Sequence, residues 1–186
     1  MPDPTPSQTV GPFFHHALPF EGGAIVVRRG TKGTRIVIEG SVRDGAGAAA
    51  ADVLIETWQA DAVGRYHHPE DRQPQPMDAD FDGFGRVPTS DDGRFTIESI
   101  KPGPVPGPRG RAQAPHIVLG ILGRGILTRL VTRLYFDDEA ANAQDPILEM
   151  VPAERRPTLI ARRVADGRYH FDIVLQGQDE TVFFDV

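Results

Sequence analysis

Tyrosine, histidine and arginine are the residue types in this chain whose placement could do chemistry, and three stretches carry them. Tyr66 lies in Gly64-Arg-Tyr-His-His68, His116 in Ala114-Pro-His-Ile117, and Arg124 in Leu122-Gly-Arg-Gly-Ile126. The chain has no cysteine, so a metal would be held by histidine, tyrosinate or carboxylate. Tyr66, His67 and His68 are adjacent, and in extended chain they cannot all face one point. His116 has Val118 two residues on. Residues i and i+2 share a face of a strand, so a chelating His-x-His pair is missing its second member. Spacing therefore offers two donors, Tyr66 and His116, where a catalytic metal normally takes three or four. His15, His16 and His170 are not recruited by any spacing. Arg124 is flanked by glycines that let the backbone turn sharply and leave the guanidinium accessible, which suits bidentate recognition of a carboxylate. Each feature also has a plainer reading: a polar loop, a hydrogen-bonded core histidine, a surface arginine.

The elements that must position these residues are short β-type runs separated by turn signals. They cover residues 35–43, 53–59 with the only tryptophan, Trp58, 94–100, 116–122, 130–136 and 169–175, and a last strand is expected over 181–186. Helix is expected at 138–144 and at 153–164, with Pro157 confined to the first turn of the latter. Residues 1–33 hold three prolines by position 6 and then Gly11-Pro12-Phe13-Phe14. That is too proline-rich for a helix and too apolar for a free tail, so it is expected to be an extended arm packed on something, a second subunit included. The predicted fold class is all-β: a β-sandwich with Greek-key-like connections, an extended N-terminal arm and one or two short helices. One domain over 34–186 follows the arm.

Composition limits the function classes. At 186 residues, with 39% apolar and 25% charged residues, the chain is long enough for one buried core. Its net charge of −6 and lack of a Lys/Arg block argue against nucleic acid as a partner. No apolar run approaches the ~20 residues of a membrane span, and the N-terminus lacks the apolar stretch of a secretory signal. The expectation is a soluble cytoplasmic chain with no membrane partner. A glycine-rich dinucleotide fingerprint is also missing.

Taken together, ten segments resemble the alpha chains of the protocatechuate 3,4-dioxygenases, intradiol ring-cleaving enzymes built from paired alpha and beta chains. The most telling are Thr5-Pro-Ser-Gln-Thr-Val-Gly-Pro12, Glu56-Thr-Trp-Gln-Ala-Asp61, Gly64-Arg-Tyr66, Ile100-Lys-Pro-Gly103, Ala114-Pro-His-Ile117, Thr132-Arg-Leu-Tyr-Phe-Asp-Asp-Glu139 and Glu180-Thr-Val-Phe-Phe-Asp185. They come in the family's order and span nearly the whole chain.

The resemblance implies a β-sandwich, in agreement with the strand pattern. It also implies a non-haem ferric ion, held in the family's beta chain by two tyrosines and two histidines. Carried onto this sequence, those four positions fall on Tyr66, Val105, His116 and Val118, and a catalytic arginine falls on Gln113. Half of the ligand set is absent, so the resemblance implies a subunit without iron, with Fe(3+) in the partner beta chain and no catalytic residue of its own. It further implies that Thr9, Gly11, Pro12 and Phe13 line the partner's pocket and that Arg124 lies near the bound aromatic acid. The reaction implied is cleavage of protocatechuate by O2 to 3-carboxy-cis,cis-muconate, in the beta-ketoadipate pathway of aromatic catabolism. Two alternatives stand beside it: a self-sufficient intradiol catechol dioxygenase using Tyr66, His116 and His67 or His68, and a non-enzymatic β-sandwich binding module.

Overall fold

The structure is a computed structural model that describes residues 10–11 and 13–185. Among the described residues, eleven strands follow one four-residue helix, α1 (Phe14–Ala17). They are β1 (Arg35–Arg43), β2 (Val53–Trp58), β3 (Phe84–Pro88), β4 (Arg94–Ile100), β5 (Val105–Pro106) and β6 (Ala112–Gln113). β7 (His116–Gly123), β8 (Leu130–Phe136), β9 (Ile160–Ala165), β10 (Arg168–His170) and β11 (Ile173–Val174) complete the set.

The strands form two facing layers. In one, β4, β1, β10 and β9 are neighbours; in the other, β9, β8, β7, β2 and β3 are. β9 belongs to both: Ile160 and Ala161 pair with β8, while Arg162 onward pairs with β10. A strand that switches layers makes the corner of a sandwich. Alternation then decides what is inside. Ile36, Ile38, Ile97, Ile55, Ile117, Leu119, Ile121 and Leu134 point inward and are buried in one core. The alternate residues on β7, His116 and Val118 among them, must face outward. A second apolar cluster of Ala114, Tyr135, Leu148, Val151 and Leu159 lies outside that first core.

Several expectations are corrected. The segment 1–33, read as too proline-rich for a helix, contains α1, which lies after its last clustered proline, Pro12. The helix over 153–164 is a 3-10 turn, Arg156–Leu159, followed by strand β9. Pro157 starts the turn, and pairing with β8 and β10 draws the rest into the sheet, overriding local helix propensity. The run 169–175 is two strands, both parallel to β1. Between them the Asp172 carboxylate takes the Ser41 backbone N–H at 2.8 Å in place of a ladder bond. At 181–186 the described part of the expected strand makes one bridge, Phe184 to Val131. Helix at 138–144 is a 3-10 helix over Ala140–Gln144. β3 was not among the expected strands.

Before β1, the chain lies along its own sheet edges. Gly23 accepts the Arg86 backbone N–H at 3.0 Å and Glu98 accepts that of Val26 at 2.9 Å. Phe20 stacks on Phe84 with ring centroids 6.3 Å apart. Phe13, by contrast, is 73% exposed.

Candidate functional site

The β2–β7–β8 register builds the site. Trp58 pairs with Val118, Val118 with Arg133, and His116 with Tyr135. Directly paired residues share a face, so the outer surface of this layer carries the row Trp58–Val118–Arg133 and, one step along, the pair His116–Tyr135.

His116 is therefore outside the sandwich core, yet it is only 3% exposed. Its ring lies 5.5 Å from that of Tyr135. The segment after β8 covers it, pinned by the fully buried Asp145. One Asp145 oxygen accepts the Ala114 N–H at 2.7 Å, and the other accepts those of Ile147 and Leu148 at 2.8 Å. The His116 Nδ1 is 2.7 Å from the Ala114 carbonyl. A carbonyl only accepts, so Nδ1 carries the proton and Nε2 is the free nitrogen. Burial, helped by the nearby Arg133 charge, pushes the His116 pKa down to about 4.

Tyr66 reaches the same region from the loop after β2. That loop folds back on buried Asp61, whose carboxylate accepts the Val63 and Arg65 N–H groups at 3.0 and 2.9 Å. Gly64 adopts φ +84°, and a Cβ there would stand 1.8 Å from the Pro104 carbonyl oxygen. Only glycine permits that approach, and it brings the Tyr66 loop against the segment leading into Val105. The Tyr66 ring stacks on Trp58 at 5.6 Å, and His68 meets the other edge of the indole at 6.4 Å. Burial raises the Tyr66 pKa, opposed by Arg133. Val105 is buried and pairs with Gln113.

The structure thus draws Tyr66, Val105, Gln113, His116 and Val118 into one neighbourhood. A residue that sequence reasoning did not single out lies among them. Arg133 donates to Gln113 Oε1 at 2.6 Å and faces the Tyr135 hydroxyl at 3.3 Å. Its signal was available in the hairpin register, which sets it opposite Val118. The donor set does not suit a ferric ion: two oxygen and nitrogen donors, two valines and a guanidinium repelling a cation. Among the described residues no group of three or more His, Cys, Asp or Glu side chains could hold a metal.

Arg124 stands elsewhere. It follows β7, at the end opposite His116, and pairs with Asp52 while staying 65% exposed. Eight residues of strand separate the two, roughly 26 Å at about 3.3 Å each. Gly11 and Phe13 are exposed, whereas Thr9 and Pro12 fall outside the described residues. His67 contacts Asp82 at 3.1 Å.

The family profile described as Dioxygenase matches residues 9–177. The chain belongs to this dioxygenase family. It is 44% identical to the protocatechuate 3,4-dioxygenase alpha chain of Burkholderia cepacia, over 98% of this chain and 97% of that one. It is also 40% identical to the beta chain from the same organism, over 80% of this chain and 67% of that one. Among solved structures, the dioxygenase domain of a carbohydrate-binding fusion protein from Streptomyces sp. SirexAA-E is 31% identical. The superposition has a TM-score of 0.64 and covers 94% of this chain and 99% of that domain. This dioxygenase-family chain therefore keeps the family's all-β frame. No helix among its described residues is long and apolar enough to cross a membrane.

Proposed function

We propose that this chain is the non-iron alpha subunit of a protocatechuate 3,4-dioxygenase, with the ferric ion in a partner beta chain. The observation that carries the reading is the pair Val105 and Val118 beside Arg133, in a family whose chemistry is oxidative ring cleavage. The similarity to named alpha chains over nearly the full length supports it. The partner's iron would supply activation of the catecholate toward O2, and the product would be 3-carboxy-cis,cis-muconate.

The part left to this chain is binding and orientation. Arg124 is the residue proposed to meet the substrate carboxylate. Asp52 engages one terminal nitrogen of its guanidinium, which holds the group in place and leaves N–H donors for an incoming anion. Thr9, Gly11, Pro12 and Phe13 are proposed to line the partner's pocket as part of an arm over residues 1–33. The exposed ring of Phe13 is consistent with burial against another subunit.

The test is to express this chain by itself and together with a beta chain carrying His-x-His and both tyrosines. Iron content and protocatechuate-dependent O2 uptake are expected only in the joint preparation. Stoichiometric iron and ring cleavage in the isolated chain would instead establish the self-sufficient enzyme.

A further inference from the structure

The row that lacks its second histidine contains a charge without a counter-ion. Val118 stands between Trp58 on β2 and Arg133 on β8. Other arginines of this face are neutralised: Arg86 and Arg129 both contact Glu56, at 2.9 and 3.1 Å. Arg133 has neutral partners, Gln113 and Tyr135, both at its Nη1. It forms no ion pair among the described residues, and its Nε and Nη2 donate to no described partner. They are not among the buried polar atoms left unsatisfied, so they open onto the adjoining hollow.

That hollow, of about 840 Å³, is lined mainly by apolar residues, among them Trp58, Phe84, Val118 and Phe184, and its charged lining residues are Arg133, Arg129 and Asp185. Trp58 and Arg133 are two strands apart, roughly 10 Å at about 4.8 Å per strand. The short Val118 side chain leaves a trough between them that spans a substituted benzene ring. At one end is a flat indole, at the other a planar cation with free donors. Phe184 lies under the guanidinium at 5.8 Å.

We propose that this trough is a binding site for a small aromatic carboxylic acid. The carboxylate sits on the free N–H groups of Arg133, and the ring lies over Val118 against Trp58. Arginine matches a carboxylate bidentately, and the largely apolar lining, with the Asp185 carboxylate in it, disfavours a strongly hydrated polyanion such as phosphate. A neutral ring would bury part of the guanidinium without an anion to compensate it. The site is separate from the substrate contacts proposed above and does not require the partner chain.

Trp58 is the only tryptophan, so its emission reports on this trough. Benzoate and phenol are the probes, titrated into the full chain by calorimetry and by Trp58 fluorescence. Benzoate is expected to bind at one site per chain and change the emission, with phenol about tenfold or more weaker. Arg133→Gln is expected to weaken benzoate by a similar factor. Val118→Phe fills the trough while keeping the charge and is expected to abolish binding; it decides the matter if Arg133→Gln does not fold. Equal affinity for phenol, undiminished benzoate affinity in either folded variant, or no benzoate binding at millimolar concentration overturns the proposal.

Discussion

His116 is a residue type that can bind a metal, in a setting that does not favour one. A histidine that binds a metal needs a free nitrogen and neighbours that tolerate a cation. Here Nε2 has no partner among the described residues, but the Arg133 guanidinium acts on the ring more strongly than the opposing Asp145 carboxylate, and the ring packs on Tyr135. The depressed pKa has a consequence for stability. In the unfolded chain the imidazole binds a proton below its ordinary value of 6.5, whereas the folded chain resists protonation down to about 4. The unfolded state therefore holds more protons between those values, and stability falls as pH falls through that window. The contribution is complete above pH 6.5, and the loss is about 3 kcal/mol by pH 4. Urea denaturation from pH 7 to pH 4 is expected to reveal it as a steeper decline in the parent than in His116→Gln. Parallel curves would mean that the ring is reached by water in the folded state.

Between neighbouring strands and loops, the arrangement depends on a few places where two backbones nearly touch. Gly64 is the clearest, because its positive φ and the Pro104 carbonyl exclude any side chain. Gly64→Ala is expected to destabilise the chain by about 2 kcal/mol or more, read as a shift in denaturation midpoint. The Trp58 emission should change as the stacked Tyr66 is displaced. An unchanged midpoint would show that the loop relaxes freely. Strands β1, β4 and β8 were legible in the sequence at their observed bounds: β1 alternates throughout and β4 up to its last residue, while β8, which ends in three buried residues, is marked by its run of β-branched and aromatic residues. β3 was not, since Phe84-Gly-Arg-Val-Pro88 is short and contains both glycine and proline. β9 was misread as helix because its strand character comes from pairing with two layers and not from its own residues. In the site, Tyr66, His116 and the two valines followed from motif positions. Arg133 did not, because its role depends on which residue it faces across the hairpin, a fact of register and not of spacing.

Strand β7 joins two places with different chemistry. One end bears His116 and the trough beside Arg133; the other leads to Arg124, whose guanidinium is exposed and held by Asp52. The apolar core beneath Ile117, Leu119 and Ile121 keeps that strand rigid, so the two arginines neither share partners nor compete for one ligand. Substitutions separated by more than about 10 Å with no common partner combine additively. In the joint preparation with a beta chain, Arg124→Ala is expected to raise KM for protocatechuate about tenfold or more, with iron content unchanged. In the isolated chain the same substitution should leave benzoate affinity as it was. Arg133→Gln should do the reverse, weakening benzoate in the isolated chain while sparing KM in the complex. The double variant should show both effects at their separate sizes. A loss of benzoate affinity in Arg124→Ala would mean that the two ends of β7 are coupled through the sheet, and the picture of one chain presenting two independent faces would have to be given up.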